Sequence, residues 1–189
     1  MTARRALAPI VFLVVAACAP SPEGGAPATD EPGDGAGENG SGEVASNGAA
    51  EGSVEIEYVA HASFRLRDEH GTELLIDPFA SRVWLGYDWP TGIEPDAVLI
   101  THPHYDHDAG RYRGTPFPWG EGTAVVDAPG SHRFGDFVVS GVEGKHADPY
   151  GREFGQLNTI MVIEAYGLRI AHLGDNGPLT EDMARGLGR

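Results

Sequence analysis

From residue 53 onward the chain breaks into short runs that alternate apolar and polar positions. VEIEYVA (54–60) alternates with a period of two and predicts a half-buried strand. SFRLR (63–67) and ELLIDP (73–78) flank the turn-forming RDEHGTE, which predicts a hairpin over 62–77 that Pro78 closes. DAVLIT (96–101) is a short continuous apolar run of the kind a fully buried strand shows. TAVVD (123–127), DFVVSGVE (136–143), NTIMVIEA (158–165) and LRIAHLGD (168–175) are further strand candidates. LTEDMARGL (179–187) reads as a helix start, with Thr180 as N-cap and Asp182 in the first turn. Many short strands, few helices and no internal repeat place residues 53–189 in the α+β class as one domain.

The first 52 residues carry none of this patterning. From Ala19 to Gly52 the chain is Gly, Pro, Ala, Ser and acid, and it buries too little apolar surface to offset its ordering entropy, which predicts a disordered tether over 19–52. Ahead of it, Arg4 and Arg5 precede LAPIVFLVVAA, an apolar run too short to cross a bilayer comfortably. The run ends in VAAC, whose Cys18 is the only cysteine, so no internal disulfide forms. Residues 1–18 resemble a bacterial lipoprotein signal. The resemblance implies lipidation at Cys18, attachment to a membrane through that lipid, and a place in the cell envelope on the extracytoplasmic side.

A formal charge of −15, with Lys145 as the single lysine, removes electrostatic support for a nucleic-acid partner. An anionic membrane surface would likewise repel the body of the domain.

Chemistry concentrates in THPHYDHDAG (101–110), which holds three of the eight histidines. It follows directly on the buried-strand run. His102 and His104 are two apart, so an extended chain would point them to one side, and Asp106 and His107 would approach from another direction once the chain turns. Pro103 stiffens the segment. Neutral imidazole nitrogens and carboxylate oxygens are the donors a zinc-like divalent ion takes, and four of them within six positions can serve two adjacent ions.

HPHYDH resembles the HxHxDH motif of the metallo-β-lactamase-fold hydrolases. VAHASFRLR and GTELLIDPF upstream are similar to the opening strands of this superfamily, above all its lactonase-like and phospholipase-like branches. GKHAD and AHLGD downstream fall where the family carries its next ligands. The resemblance spans about residues 54 to 176. It implies an αββα sandwich, a first metal on His102, His104 and His146, a second on Asp106 and His107, and Asp175 bridging both. It further implies a water-derived nucleophile between the ions, with Asp106 steering that water or taking its proton. Zinc is the expected metal, one or two ions, with manganese and iron open. The family places a further histidine beyond the GD motif, and none follows Asp175 here; the resemblance therefore implies a sandwich with its C-terminal part missing.

His61, in AHAS, is a candidate for lining the site. Asp77, in IDP, is expected to hold a ligand histidine rather than a metal. His172 is expected in the packing or behind a ligand, while His70 in a hairpin turn and His132 in a Gly/Pro loop are expected at the surface. The aromatic segments VWLGYDW and YRGTPFPW either wall a pocket or cover the sandwich. The function expected is a metal-dependent hydrolase acting on an ester-like bond (a lactone, phosphodiester or related linkage) in a small-molecule or lipid-like substrate. A metal-binding envelope lipoprotein without turnover, or an inactive fragment, is the rival reading. The sequence leaves the oligomeric state open.

Overall fold

The computed structural model describes residues 10–13, 51–80, 86, 88–111, 119–120 and 122–188. Cys18, almost all of the 19–52 segment and most of both aromatic segments (83–85 and 87 of the first, 112–118 of the second) lie outside them.

Among the described residues, ten strands form two five-stranded sheets. The first runs β2 (Val54–Ala60), β3 (Ser63–Asp68), β4 (Glu73–Ile76), β5 (Ala97–Leu99) and β6 (Ala124–Val126), in that order. Its β2–β3–β4 part is an antiparallel meander, and β4, β5 and β6 are parallel. The second sheet has the order β1 (Ile10–Leu13), β10 (Leu168–His172), β9 (Glu153–Ala165), β8 (Phe137–Ala147), β7 (Gly130–Phe134). It is antiparallel except at β1, which pairs parallel to β10 with Ile10 opposite Arg169 and Leu13 opposite His172. Residues 10–13 of the apolar run assigned to the signal thus pair along the edge of β10.

Alternation explains the layering. Phe64, Leu66, Leu74, Ile76 and Leu99 of the first sheet meet Phe137, Val139, Met161, Ile163 and Ile170 of the second in one buried cluster. Each such side chain contributes about 1.5–3 kcal/mol of hydrophobic stabilisation. The outer face of the second sheet buries Ile160, Val162 and Ala171 under Met183 and Leu187, at the short helix α1 (Glu181–Gly186). Thr180 caps that helix by accepting from the Met183 amide, and Glu181 and Asp182 sit in its first turn, where the helix dipole favours negative charge. The outer face of the first sheet is covered by Ile93, Ala109 and Trp119, with Trp89 packed alongside. Where described, the aromatic segments cover the sandwich: the Trp89 ring lies 4.9 Å from that of Phe79.

Two boundaries differ from the sequence reading. Gly130–Phe134, expected as a loop, is a strand, because its exposed residues pair through backbone with β8 and lack the alternation that would betray a buried face. The β8–β9 hairpin also extends past the core on both strands, to Ala147 and back from Glu153. That extension carries His146.

Candidate metal centre

The site lies at one end of the sandwich, where β2, β4, β5, β8 and β10 deliver their last residues. HPHYDH is not extended. It is a compact turn in which the His104 amide donates to the His102 carbonyl at 3.0 Å, and the His107 and Asp108 amides donate to the His104 carbonyl at 3.0 and 2.7 Å. The predicted same-side projection of His102 and His104 is therefore a product of the turn, and their rings still meet at 4.6 Å. Two contacts fix the turn to both sheets: the Ala80 amide donates to the Tyr105 carbonyl and the Thr159 amide to the Thr101 carbonyl, each at 2.7 Å.

His146 arrives from β8 and completes a trio, 4.6 Å from the ring of His102 and 4.7 Å from that of His104. The three offer donor atoms within 4.8 Å of one another. Two further groups meet the same distance: His61, Asp106 and His107; and His102, His107 and Asp175. Asp175 stands between the trio and the second group, with one oxygen 3.7 Å from His146 Nε2 and the other 3.5 Å from His107 Nε2. All six ligand candidates and His61 thus converge on one volume.

What holds the rings is Asp77. It is fully buried and receives the Thr101 amide (2.8 Å), the Thr101 hydroxyl (2.8 Å), His107 Nδ1 (2.7 Å) and His172 Nε2 (2.8 Å). Because the Thr101 hydroxyl donates to Asp77, its oxygen is free to accept from His102 Nδ1 at 3.0 Å. One carboxylate therefore holds the Nδ1–H of His107 directly and that of His102 through Thr101, and in the neutral rings this leaves both Nε2 atoms as acceptors. Those two Nε2 atoms, and both ring nitrogens of His146, are buried without a hydrogen-bond partner. Buried polar atoms left unpaired each cost about 1–3 kcal/mol, so three rings that gather such atoms form a donor set a cation would satisfy.

The electrostatics separate the two halves. Burial, reinforced by neighbouring His107, pushes His102 down to about 2, and burial also lowers His146 against the pull of Asp175. Both are neutral and ready to ligate. Burial also works against a charge on His107, but Asp77 and then Asp175 and Asp106 outweigh it and raise the group to about 9. Asp77 itself is desolvated, yet the two histidines on it hold it far below the usual carboxylate range. Burial opposes ionisation of Asp106, and the hydrogen bond from His61 at 3.1 Å, with His107 nearby, lowers it nonetheless.

These features decide the family. Residues 55–189 match the family described as a β-lactamase superfamily domain. The chain belongs to the metallo-β-lactamase superfamily. A relative from Haloarcula marismortui, named a UPF0173 metal-dependent hydrolase, is 29% identical over 158 residues, covering 68% of this chain and 65% of that protein. One of the same name from Rubrobacter xylanophilus is 27% identical over 149 residues, covering 66% and 61%. Among solved structures, a candidate Zn-dependent hydrolase of this superfamily from Thermotoga maritima superposes with a TM-score of 0.51 at 26% identity, covering 72% of this chain and 58% of that one. The chain thus spans less than two thirds of the length of these relatives. The α+β, metallo-β-lactamase-type fold is shown by the same likeness and by the two layered sheets.

Three neighbours of the centre escaped the sequence reading. Thr101 orients His102; its only signal was its place between a buried strand and HxH. Gln156 places its amide nitrogen 3.3 Å from His104 Nε2, and Phe154 stacks at 5.8 Å on His146 while 45% exposed. Both sit on the β9 extension that alternation did not reveal. His61, expected only to line the site, is a donor in the Asp106–His107 group; a left-handed backbone (φ 52°) at the β2–β3 turn points it there. A cleft of about 410 Å³ between β8, β9 and α1, lined by Val142, Glu143, Lys145 and Met183, contains none of these residues. Among the described residues, the convergent donor sets lie at the histidines and not at this cleft.

Proposed function

We propose that this chain carries the metal centre of a hydrolase that cleaves an ester-like bond, a lactone, phosphodiester or related linkage, in a small or lipid-like molecule. The observation that carries the reading is the convergence of His102, His107 and His146, whose buried ring nitrogens have no partner in the protein, on the two oxygens of Asp175. Such a donor set suits zinc, with manganese or iron as alternatives. His102, His104 and His146 would hold one ion, Asp106, His107 and His61 a second, and Asp175 would touch both. A divalent ion supplies Lewis acidity and lowers the pKa of water toward about 7. The protein's own part is positional. Asp77 and Thr101 fix the imidazoles. Asp106, held ionised beside His61, accepts a proton near the reacting centre. Phe154, exposed against His146, offers an apolar wall for the substrate.

The lipoprotein reading is part of the same proposal. Cys18 would carry the lipid and the 19–52 segment would hold the domain off a bacterial envelope membrane. Replacement Cys18→Ser should move the protein from the membrane to the soluble fraction, and unchanged partitioning would remove the anchor.

For the chemistry, the chain carrying His102→Ala and His104→Ala is assayed on lactone and phosphodiester panels with added zinc or manganese. The expected outcome is loss of activity by at least a hundredfold. Undiminished turnover would remove the metal mechanism, and metal binding without turnover by the unaltered chain on any panel would favour a metal-binding protein.

A further inference from the structure

At the opposite end of the sandwich three turns meet. They are 69–72 between β3 and β4, 135–136 between β7 and β8, and 166–167 between β9 and β10, so both sheets contribute. We propose that Asp68, His70 and Asp136 form a second, separate divalent-cation site there, with the Tyr166 hydroxyl beside it, and that the ion clamps the two sheets together.

The three residues offer donor atoms within 4.8 Å of one another, the same closeness that defines the His102–His104–His146 trio. Asp136 Oδ2 lies 2.8 Å from His70 Nδ1 and receives the Tyr166 hydroxyl at 2.8 Å, while that hydroxyl lies 3.3 Å from His70 Nδ1. Asp68 supplies the independent observation. It is 4% exposed, and its Oδ1 accepts the amides of His70 (3.0 Å) and Thr72 (2.7 Å), but its Oδ2 is buried and has no hydrogen-bond partner. A buried carboxylate oxygen left unpaired is costly, and the carboxylate that carries it belongs to the cluster that also holds an imidazole and a second carboxylate. A cation is the partner that Asp68 Oδ2 lacks, and His70 and Asp136, now paired with each other, would turn to it.

The donor set is right for zinc: two carboxylates and one imidazole, with a fourth position left to solvent water. Tetrahedral zinc bonds of about 2.0–2.2 Å place donor atoms roughly 3.4 Å apart, so the metal-free 2.8 Å contact needs only a small opening of two turn side chains. Those side chains are free to make it, since His70 is 68% and Asp136 45% exposed. The backbone is already fixed. The Gly135 turn approaches Thr72 so closely that a Cβ there would overlap the threonine side chain, and φ at Gly135 is +53°. An exposed site without an apolar cavity suits a clamp rather than a reaction.

The test uses the full chain carrying His102→Ala and His104→Ala, titrated with zinc by calorimetry and followed by thermal melting. Adding His70→Ala and Asp136→Ala is expected to lower the zinc stoichiometry by one and to abolish part of the zinc-dependent rise in melting temperature. An unchanged stoichiometry overturns the site, including the case in which the melting temperature alone falls, because that is the behaviour of a hydrogen-bonded clasp. If the background does not fold, His70→Gln in the otherwise unaltered chain gives the same reading: one equivalent fewer supports the site, no change overturns it. Neither outcome depends on hydrolysis, so the site stands or falls separately from the proposed reaction.

Discussion

The two ends of this sandwich gather the same residue types under opposite conditions. At the HPHYDH end, His102 and His107 are at most 2% exposed; burial lowers the pKa of the first, and a buried carboxylate raises that of the second. At the far end His70 is two thirds exposed, and its raised pKa comes first from the hydrogen bond to Asp136 rather than from a preorganised core. Among the described residues, the three non-glycine residues with positive φ fall at these ends: His61 and Asp77 at the first, Tyr166 at the second. The difference teaches what preorganisation consists of here. The near end fixes its imidazoles through Asp77 and Thr101 before any ion arrives, whereas the far end relies on turns and must adjust.

The contrast breaks most sharply at Asp77. Asp77→Ala removes the shared acceptor of His107, His172 and Thr101, and is expected to destabilise the fold by about 3–5 kcal/mol, measured by urea denaturation. In whatever fraction folds, zinc affinity should fall about 10–100-fold through loss of ring orientation, measured by competition with a chelating dye. Gly174→Ala comes next. With φ at +55°, a Cβ would stand 2.5 Å from Thr101 Oγ1 and 2.6 Å from Asn158 Oδ1, so a loss of about 1–3 kcal/mol in melting experiments is expected, along with displacement of Asp175. Phe154→Ala should leave stability within about 0.5 kcal/mol, since the ring is largely exposed, while raising KM for apolar substrates if the ring walls the site.

The smallest effect belongs to the far end without metal. The folded pKa of His70 is raised above its ordinary value, so its contribution is complete below about 6.5 and is lost as pH rises through the raised value. Metal-free protein should therefore show a slight fall in melting temperature across that window, absent in His70→Gln. At the near end, the neutral His102 gives no such gain.

Much of this was legible in the chain because alternation and chemistry agree. The strands from Ser63 to Ile76, the buried run at Ala97–Leu99 and the capped helix at Thr180 follow period and end signals that the core enforces, whereas Val54–Ala60 is a strand at the sheet edge that leaves Ile56 and Tyr58 exposed instead of half-buried as its alternation predicts. HxHxDH stands out because few packed segments hold three histidines in six positions. What was not legible depends on distance in space. His61 meets Asp106 across 45 positions and His70 approaches Asp136 across 66, pairings that no local pattern encodes. The strand at Gly130–Phe134 was missed because backbone pairing, not a buried face, makes it a strand.

The most direct measurement is anomalous diffraction at the zinc edge from crystals of the chain grown with zinc. A peak within bonding distance of His102, His104 and His146 is the predicted result, with Asp175 beside it. Full zinc loading with no peak among those three histidines would contradict the account.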